Sequence, residues 1–138
     1  MRTEAFVAVE GLCEQFFYGL EETDLAWRLI DQGWSVRFRA DLRLLHPRTD
    51  PARHGDFHRN TARNRVWLAH RALPFPLAVF YVLNWSLVTA MRNITRPSGI
   101  AAHAGGTIDG WKHRFGPRRP MSWRTVLRLA RLGRPPLI

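Results

Sequence analysis

The amino-acid sequence predicts an α/β fold over residues 1–50, followed by a mainly helical region over residues 51–138. Three patterns support this prediction: an amphipathic helix that ends near Gly33, a run of alternating apolar and polar residues directly after it, and a long uncharged apolar run further along the chain. With 138 residues and a hydrophobic content of 46%, the chain has the size of one domain and enough apolar side chains for a core.

The first predicted element is a helix within the stretch from Phe16 to His46. Its buried face is predicted from apolar residues at helical spacing: Leu25, Ala26, Leu29 and Ile30. Gly33 is a typical C-terminal stop. Three acids, Glu21, Glu22 and Asp24, fall in the first turn, where the helix dipole stabilises an ionised carboxylate by roughly 0.3–1 kcal/mol. Without further context these acids are favourable helix-start charges.

Two short strands are predicted after this helix. The first is indicated by strict alternation, in which the apolar residues are Trp34, Val36 and Phe38 and the polar ones are Ser35, Arg37 and Arg39. Leu42 and Leu44 begin the second strand, which ends at His46. A histidine at the end of a strand lies where loops commonly place functional groups.

The stretch FFYGLEETDLAWRLIDQGWSVRFRADLRLLHPRT resembles the acceptor-side signature of family 2 glycosyltransferases, enzymes of the GT-A fold that transfer sugars from nucleotide-sugar donors. The preceding AFVAVEGLCEQFF is similar to a degenerate form of that family's approach to the helix, with departures at Glu10, Leu12 and Cys13. The resemblance implies that residues 1–50 are the acceptor-side part of a GT-A catalytic domain and that the transfer inverts the anomeric centre.

The resemblance also implies roles for single residues. Glu22 matches the family's general base, which takes the proton of the acceptor hydroxyl, with Glu21 and Asp24 as alternatives. His46 matches a histidine that helps to hold a divalent metal, Mn or Mg, on the donor diphosphate. Arg63, in a pair with Asn64, resembles an Arg-Asn pair of the family, and we predict substrate contacts for it and for Trp27; the plainer interpretation of Arg63 is a solvated or lipid-facing basic helix face.

The sequence lacks the donor-binding features of that family. No two aspartates stand two residues apart, so there is no Asp-x-Asp metal motif, and no phosphate-binding glycine loop occurs. We therefore expect the chain to be the C-terminal part of such an enzyme, with the remaining metal ligands in a missing N-terminal half. Alone, it is expected to be inactive.

The C-terminal region is predicted to be mainly helical. After a linker at Pro47–Gly55, a helix is predicted from Asp56 onward, and Ser98–Gly110 is predicted to be a glycine-rich loop. The uncharged run Ala72–Met91 has the minimum length of a bilayer span, and three interpretations stay open: an in-plane or re-entrant membrane helix, a full span, and an ordinary core helix. A basic amphipathic helix at Ser122–Leu132, with a tryptophan on its apolar face, is typical of membrane-surface binding.

Charge is distributed very unevenly along the chain. Residues 1–50 carry a net charge of −3, from six arginines and nine acids, whereas residues 51–138 carry +13, from fifteen basic residues and two acids. Only Lys112 among the basic residues is a lysine, and the planar fork of arginine suits phosphate groups on lipid, nucleotide or nucleic acid. The single cysteine, Cys13, excludes an internal disulfide framework and fits a reducing compartment, and no secretory signal opens the chain.

The resemblance and the composition together predict a nucleotide-sugar-dependent glycosyltransferase that acts on a polysaccharide or lipid-linked acceptor, as in cell-envelope biosynthesis. The predicted location is the cytoplasmic face of the cell membrane, and no nucleic-acid partner is expected. Two alternatives stay open: a non-catalytic membrane adaptor, and a basic nucleic-acid-binding module that the charge of +13 would support.

Overall fold

A computed structural model describes residues 1–17, 19–43, 45 and 54–137; for residues 54 and 55 it describes the backbone alone. A single 3₁₀ turn, Glu14–Phe16, precedes the second of the helices in these ranges. The helices, numbered in chain order, are α1 Thr3–Ala8, α2 Glu21–Asp31, α3 His54–Ala72, α4 Phe75–Arg92, α5 Pro97–Lys112 and α6 Trp123–Arg131.

The predicted α/β fold is wrong, and with it the expectation of a GT-A fragment over residues 1–50, because the described part of the chain is all-helical and contains no strand or sheet. The helix α2 is confirmed, with Leu25 and Leu29 buried and Gly33 in a left-handed conformation just past its end. The first predicted strand is instead an unpaired segment in which Phe38 is 92% exposed. Alternation alone does not make a strand, since a strand also needs a neighbour to pair its N–H and C=O groups. No such neighbour exists within the described ranges.

The centre of the molecule is a bundle of α3, α4 and α5. The predicted helix from Asp56 is confirmed by α3, but the predicted loop at Ser98–Gly110 is wrong, because this segment belongs to α5. Along α5 the buried residues follow a helical spacing of four and three: Gly99, His103, Gly106 and Gly110. A Cβ atom on Gly106 would overlap the carbonyl oxygen of Arg59, so the two backbones approach more closely than any larger residue allows. Glycine here serves close packing, not a turn.

The larger apolar core joins both predicted regions of the chain. It contains Phe16 and Trp27 from the first region and residues of α3, α4 and α6 from the second, with Leu68 and Leu73 fully buried. Phe16 meets Trp67 edge-on with 6.2 Å between the ring centroids, and Trp27 meets Tyr81 in the same manner at 6.1 Å. These contacts fix α2 against the bundle, so the acidic first turn of α2 has a defined position.

Helix α6 is confirmed, but its contacts differ from those of a free membrane-surface helix. Ser122 caps it by accepting a hydrogen bond from the Thr125 amide at 3.2 Å. Both hydroxyls point to one carboxylate oxygen of Asp31 at the end of α2, and the Thr125 hydroxyl donates to it at 2.6 Å. Val126 and Leu129 enter the core, while Trp123 remains half exposed. One apolar side of α6 is therefore occupied by the protein itself.

Candidate functional site

The acidic first turn of α2 is held in place by one buried asparagine of α3. Asn64, which is 0% exposed, donates hydrogen bonds from Nδ2 to the carbonyl oxygens of Phe16 at 2.6 Å and Gly19 at 2.9 Å. Leu20, the N-cap residue, has a positive φ of 74°, which is rare for a side chain of this kind and is maintained by the surrounding contacts. The Arg63-Asn64 pair singled out in the sequence thus anchors the loop that leads into Glu21 and Glu22.

Asp24 is a structural residue in this arrangement. It is 1% exposed and lies between two guanidinium groups, with Arg28 Nη2 at 2.6 Å and Arg71 Nε at 3.7 Å from its carboxylate oxygens. Arg28 also donates to the carbonyl oxygens of Val9 and Gly11. A buried carboxylate paired in this way holds α1, α2 and α3 together, and breaking such a pair leaves uncompensated buried charge. The Asp24 carboxylate is engaged by these ion pairs and lies almost entirely out of solvent.

Glu21 and Glu22 differ from Asp24 and from each other. The side chain of Glu22 is exposed at the start of α2, where a soluble or membrane-borne substrate can reach it. Glu21 is half-buried, and its Oε2 atom is shielded from solvent with no hydrogen-bond partner among the described residues. Of the three candidate bases, Glu22 is therefore the one whose geometry suits proton transfer with an external molecule.

The two predicted substrate-binding residues lie on different sides of the core. Trp27 is buried against Tyr81. Arg63 is half-buried, donates to the Asn64 side-chain oxygen at 3.0 Å and places its guanidinium carbon 4.5 Å from the Trp67 ring centroid. Burial lowers the pKa of Arg63, and the charge of Asp109 opposes that shift.

The predicted metal ligand His46 lies outside the described residues. Within the described ranges no group of three or more His, Cys, Asp or Glu side chains is placed to hold a metal ion. The expectation of a divalent metal, Mn or Mg, therefore stays a prediction.

A second candidate surface is the exposed apolar side of α4. Its large exposed side chains repeat at the spacing of one helix face, and we call them the apolar stripe: Phe75, Val79, Phe80, Leu83, Leu87 and Met91. The opposite side faces the bundle, where the Arg65 guanidinium carbon stacks 3.4 Å from the Trp85 ring centroid. Among the described residues α4 is the one helix long and apolar enough to cross a membrane, with a mean hydropathy of 1.2 and 11% of that window buried.

Arginines flank the apolar stripe at both of its ends. Arg92 and Arg96 follow its C-terminal end. Arg114 and Arg118 lie beside its N-terminal end, where they line a cavity together with Phe75. An extended exposed apolar surface between cationic groups is a pattern of interaction sites on proteins.

Reasoning from the sequence missed several residues that shape these sites. Arg28 stands four residues after Asp24, a spacing that predicts an ion pair on one helix face, so this contact was accessible from the sequence. The contacts of Arg71 with Asp24 and of Asn64 with Gly19 join segments that are distant in the sequence. No local sequence pattern predicts them.

Comparison of the chain with the sequence profiles of protein families, with curated proteins and with solved structures finds no match. The resemblance to family 2 glycosyltransferases therefore stays a prediction that rests on the residues quoted for it.

Proposed function

We propose that this chain is a membrane-attached part of a glycosyltransferase that works at the cytoplasmic face of a membrane. The observation that carries the proposal is that one folded body presents both an exposed carboxylate at a fixed helix start, Glu22, and an exposed apolar stripe on α4. An enzyme that modifies a lipid-linked or polysaccharide acceptor needs both, because its acceptor is delivered at the membrane surface.

The chemistry assigned to Glu22 is general-base catalysis. The acceptor hydroxyl oxygen attacks the anomeric carbon of the nucleotide sugar, its proton passes to the Glu22 carboxylate, and the bond from that carbon to the nucleoside diphosphate breaks. A positioned base of this kind contributes roughly 10²–10⁴ in rate. A divalent metal with His46 among its ligands would neutralise the leaving diphosphate. The donor-binding residues lie elsewhere in the enzyme under this proposal.

Attachment is assigned to the apolar stripe and the arginines that flank it. Phe80, Leu83 and Leu87 would enter the boundary between headgroups and acyl chains, and burial of each such side chain contributes about 1.5–3 kcal/mol. Each arginine close to an anionic membrane surface adds about 1 kcal/mol. Helix α4 is exposed on the side of the apolar stripe and packed against the bundle on the other side. An in-plane orientation of α4 therefore allows all of these membrane contacts at once.

The proposal is tested in membranes from the cells in which the chain occurs naturally, so that the donor-binding part of the enzyme is present, with the gene unchanged, deleted or altered to encode Glu22→Gln. The membranes are incubated with a panel of radiolabelled nucleotide sugars, and label in the lipid and polysaccharide fractions is counted. We expect one donor to label a product and Glu22→Gln to lower this labelling by about 10²-fold, because glutamine keeps the size of the side chain but is not a base.

Glu14→Gln is the matched control, since Glu14 is an exposed glutamate in the turn that precedes α2. It should label as the unchanged chain does. Equal labelling by Glu22→Gln and the unchanged chain would contradict the assignment of the base. Absence of chain-dependent labelling with every donor would contradict sugar transfer altogether.

A non-catalytic membrane adaptor is the second candidate function. It is favoured by the burial of Asp24 between Arg28 and Arg71, which shows that part of the acidic cluster has a purely structural use. An adaptor would attach to membranes through the same apolar stripe but would leave sugar incorporation independent of Glu22.

A further inference from the structure

A cavity of about 220 Å³ lies between α3, α4 and α5, next to the N-terminal end of the apolar stripe. Its walls are apolar, from Val66 and Ala69 of α3 and from Ala78, Val79 and Val82 of α4. Its rim is different, because the residues there are cationic or aromatic: His70, Trp111, Arg114 and Arg118. A mainly apolar interior beneath a positively charged rim is suited to an amphiphile whose polar end is an anion.

The rim of this cavity is held rigidly. Arg118 donates from Nη1 to the His70 carbonyl oxygen at 2.7 Å and from Nη2 to the Leu73 carbonyl oxygen at 2.9 Å. These carbonyls belong to the last turn of α3 and its end, where the helix leaves acceptors unpaired and the dipole favours a cation. Arg118 thereby closes one side of the cavity. Its two hydrogen bonds leave the guanidinium little freedom to move.

Arg114 provides a cation that the protein leaves available. It is exposed, and its guanidinium carbon lies 4.8 Å from the centroid of Trp111, a residue of the same rim. Among the described residues that line the cavity there is no carboxylate. Burial lowers the pKa of His70, and the charges of Arg114, Arg118 and Arg71 lower it further, so the imidazole is neutral near pH 7 and can accept or donate a hydrogen bond.

The cavity is continuous with the surface assigned to the membrane. Phe75, which is 70% exposed, and Val79 belong both to the cavity lining and to the apolar stripe. A lipid in the adjoining membrane leaflet would reach the cavity without leaving the interface. Its headgroup phosphate would then stand at the depth of Arg114.

We propose that this cavity binds one phosphorylated membrane lipid, with the phosphate held by Arg114 at the rim and the first part of one chain over Val66, Ala69 and Ala78. A planar guanidinium binds phosphate oxygens in a bidentate manner, which makes arginine the suitable partner. The inference rests on the proposed attachment to membranes and deepens it, because it names the chemical class of membrane lipid that the site selects: a phosphate ester of a long apolar chain.

The test uses the full chain and dodecyl phosphate below its micelle concentration, with binding measured by calorimetry. We expect saturable binding of one molecule per chain. Inorganic phosphate lacks the apolar chain, and the uncharged dodecanol lacks the phosphate group. Each should therefore bind at least about tenfold more weakly than dodecyl phosphate. Inorganic phosphate that binds as tightly as dodecyl phosphate would overturn the inference, since the cavity would then contribute nothing.

Two variants with matched controls locate the site. Ala78→Leu places a larger side chain into existing space, and Arg114→Gln removes the cation, so each should weaken dodecyl phosphate binding by about tenfold. Ala104→Leu and Arg124→Gln make the same changes at exposed positions of α5 and α6 and should bind as the unchanged chain does. Unchanged binding by both test variants would overturn the inference.

The failure of this inference is distinguishable from failure of membrane attachment. Attachment is measured separately by sedimentation of the full chain with vesicles of phosphatidylcholine and phosphatidylglycerol. If the chain sediments with vesicles but does not bind dodecyl phosphate, the inference of a lipid-binding cavity is contradicted and the proposal of membrane attachment is supported. Binding of dodecyl phosphate without sedimentation would remove attachment.

Discussion

Helices α4 and α5 are neighbours in one bundle, yet they differ in which residues are buried against their neighbours. α4 carries large apolar side chains, and many of them, such as Leu83 and Leu87, face outward. α5 carries several glycines, and Gly99, Gly106 and Gly110 are buried against its neighbours. Burial in this molecule therefore follows the fit between surfaces and not the apolarity of the side chain alone.

The difference has a physical cause. Glycines let the backbones of α3 and α5 approach closely, and close approach increases dispersion contacts along the whole interface. The ion pair of Arg59 with Asp109, at 2.7 Å, joins the same two helices at the edge of the contact. The outward side of α4 has no such surface to meet within the described part of the chain, and its apolar area needs another environment.

The largest effect is expected from comparing a buried leucine with an exposed one. Leu73 is 0% exposed at the junction of α3 and α4, whereas Leu83 in the apolar stripe is 64% exposed. Leu73→Ala should lower the free energy of unfolding by about 2–5 kcal/mol, because it removes packed methyl groups and leaves a cavity. Leu83→Ala should change it by less than about 0.5 kcal/mol. Urea denaturation followed by circular dichroism measures both, and equal losses would contradict the exposed position of the stripe.

The next effect concerns the glycines of α5. Gly106→Ala should lower the free energy of unfolding by about 1–3 kcal/mol, since the added methyl group meets the Arg59 backbone, which has little room to move. Gly105→Ala is the matched control, because its Cβ would lie 3.8 Å from the Arg59 guanidinium, an ordinary contact. It should raise the free energy of unfolding by about 0.5–1 kcal/mol through helix propensity. Thermal unfolding of the pair checks this, and a stabilising Gly106→Ala would contradict the close approach.

A smaller effect is expected from pH. His103 of α5 is buried, and its Nε2 lies 3.2 Å from the Ser86 hydroxyl of α4. Burial lowers the pKa of His103 below 6.5, and the charges of Arg65 and His58 lower it further. The unfolded chain therefore binds more protons than the folded chain below about pH 6.5, so stability should fall as pH falls through this range.

His103→Gln should lessen this slope, because glutamine keeps a hydrogen-bonding group but does not titrate near neutral pH. The measurement is the midpoint of urea unfolding between pH 7.5 and pH 5. His113→Gln, at an exposed position past the end of α5, should leave the slope unchanged. An equal slope in His103→Gln and the unchanged chain would show that His103 makes no contribution to it.

The sequence predicted elements well where local chemistry decides the outcome. Helix α2 was accessible from its apolar spacing and Gly33, and α6 from the Ser122 cap. Helix α5 was missed because glycine disfavours an isolated helix, whereas packing against α3 repays that cost in the folded chain. The strand predicted at Trp34–Arg39 was wrong because alternation carries no information about a partner strand.

The candidate site was predictable in part for the same reason. The acidic cluster at the start of α2 is a local pattern, and it was found. The division between an exposed Glu22 and a buried Asp24 depends on Arg71, which reaches Asp24 from the far end of α3. Such a contact between distant segments follows from tertiary packing and leaves no trace in the spacing of residues along the chain.

The central claim, that the outward side of α4 meets a membrane, is tested most directly by sedimentation with vesicles of phosphatidylcholine and phosphatidylglycerol. The unchanged chain should sediment with them at low salt and largely remain bound at high salt. The double variant Leu83→Gln, Leu87→Gln should bind at least about 10²-fold more weakly, because two leucines that enter the membrane contribute about 1.5–3 kcal/mol each, while its free energy of unfolding stays the same. Recovery of the unchanged chain in the soluble fraction at low salt, or equal binding by the double variant, would contradict the claim.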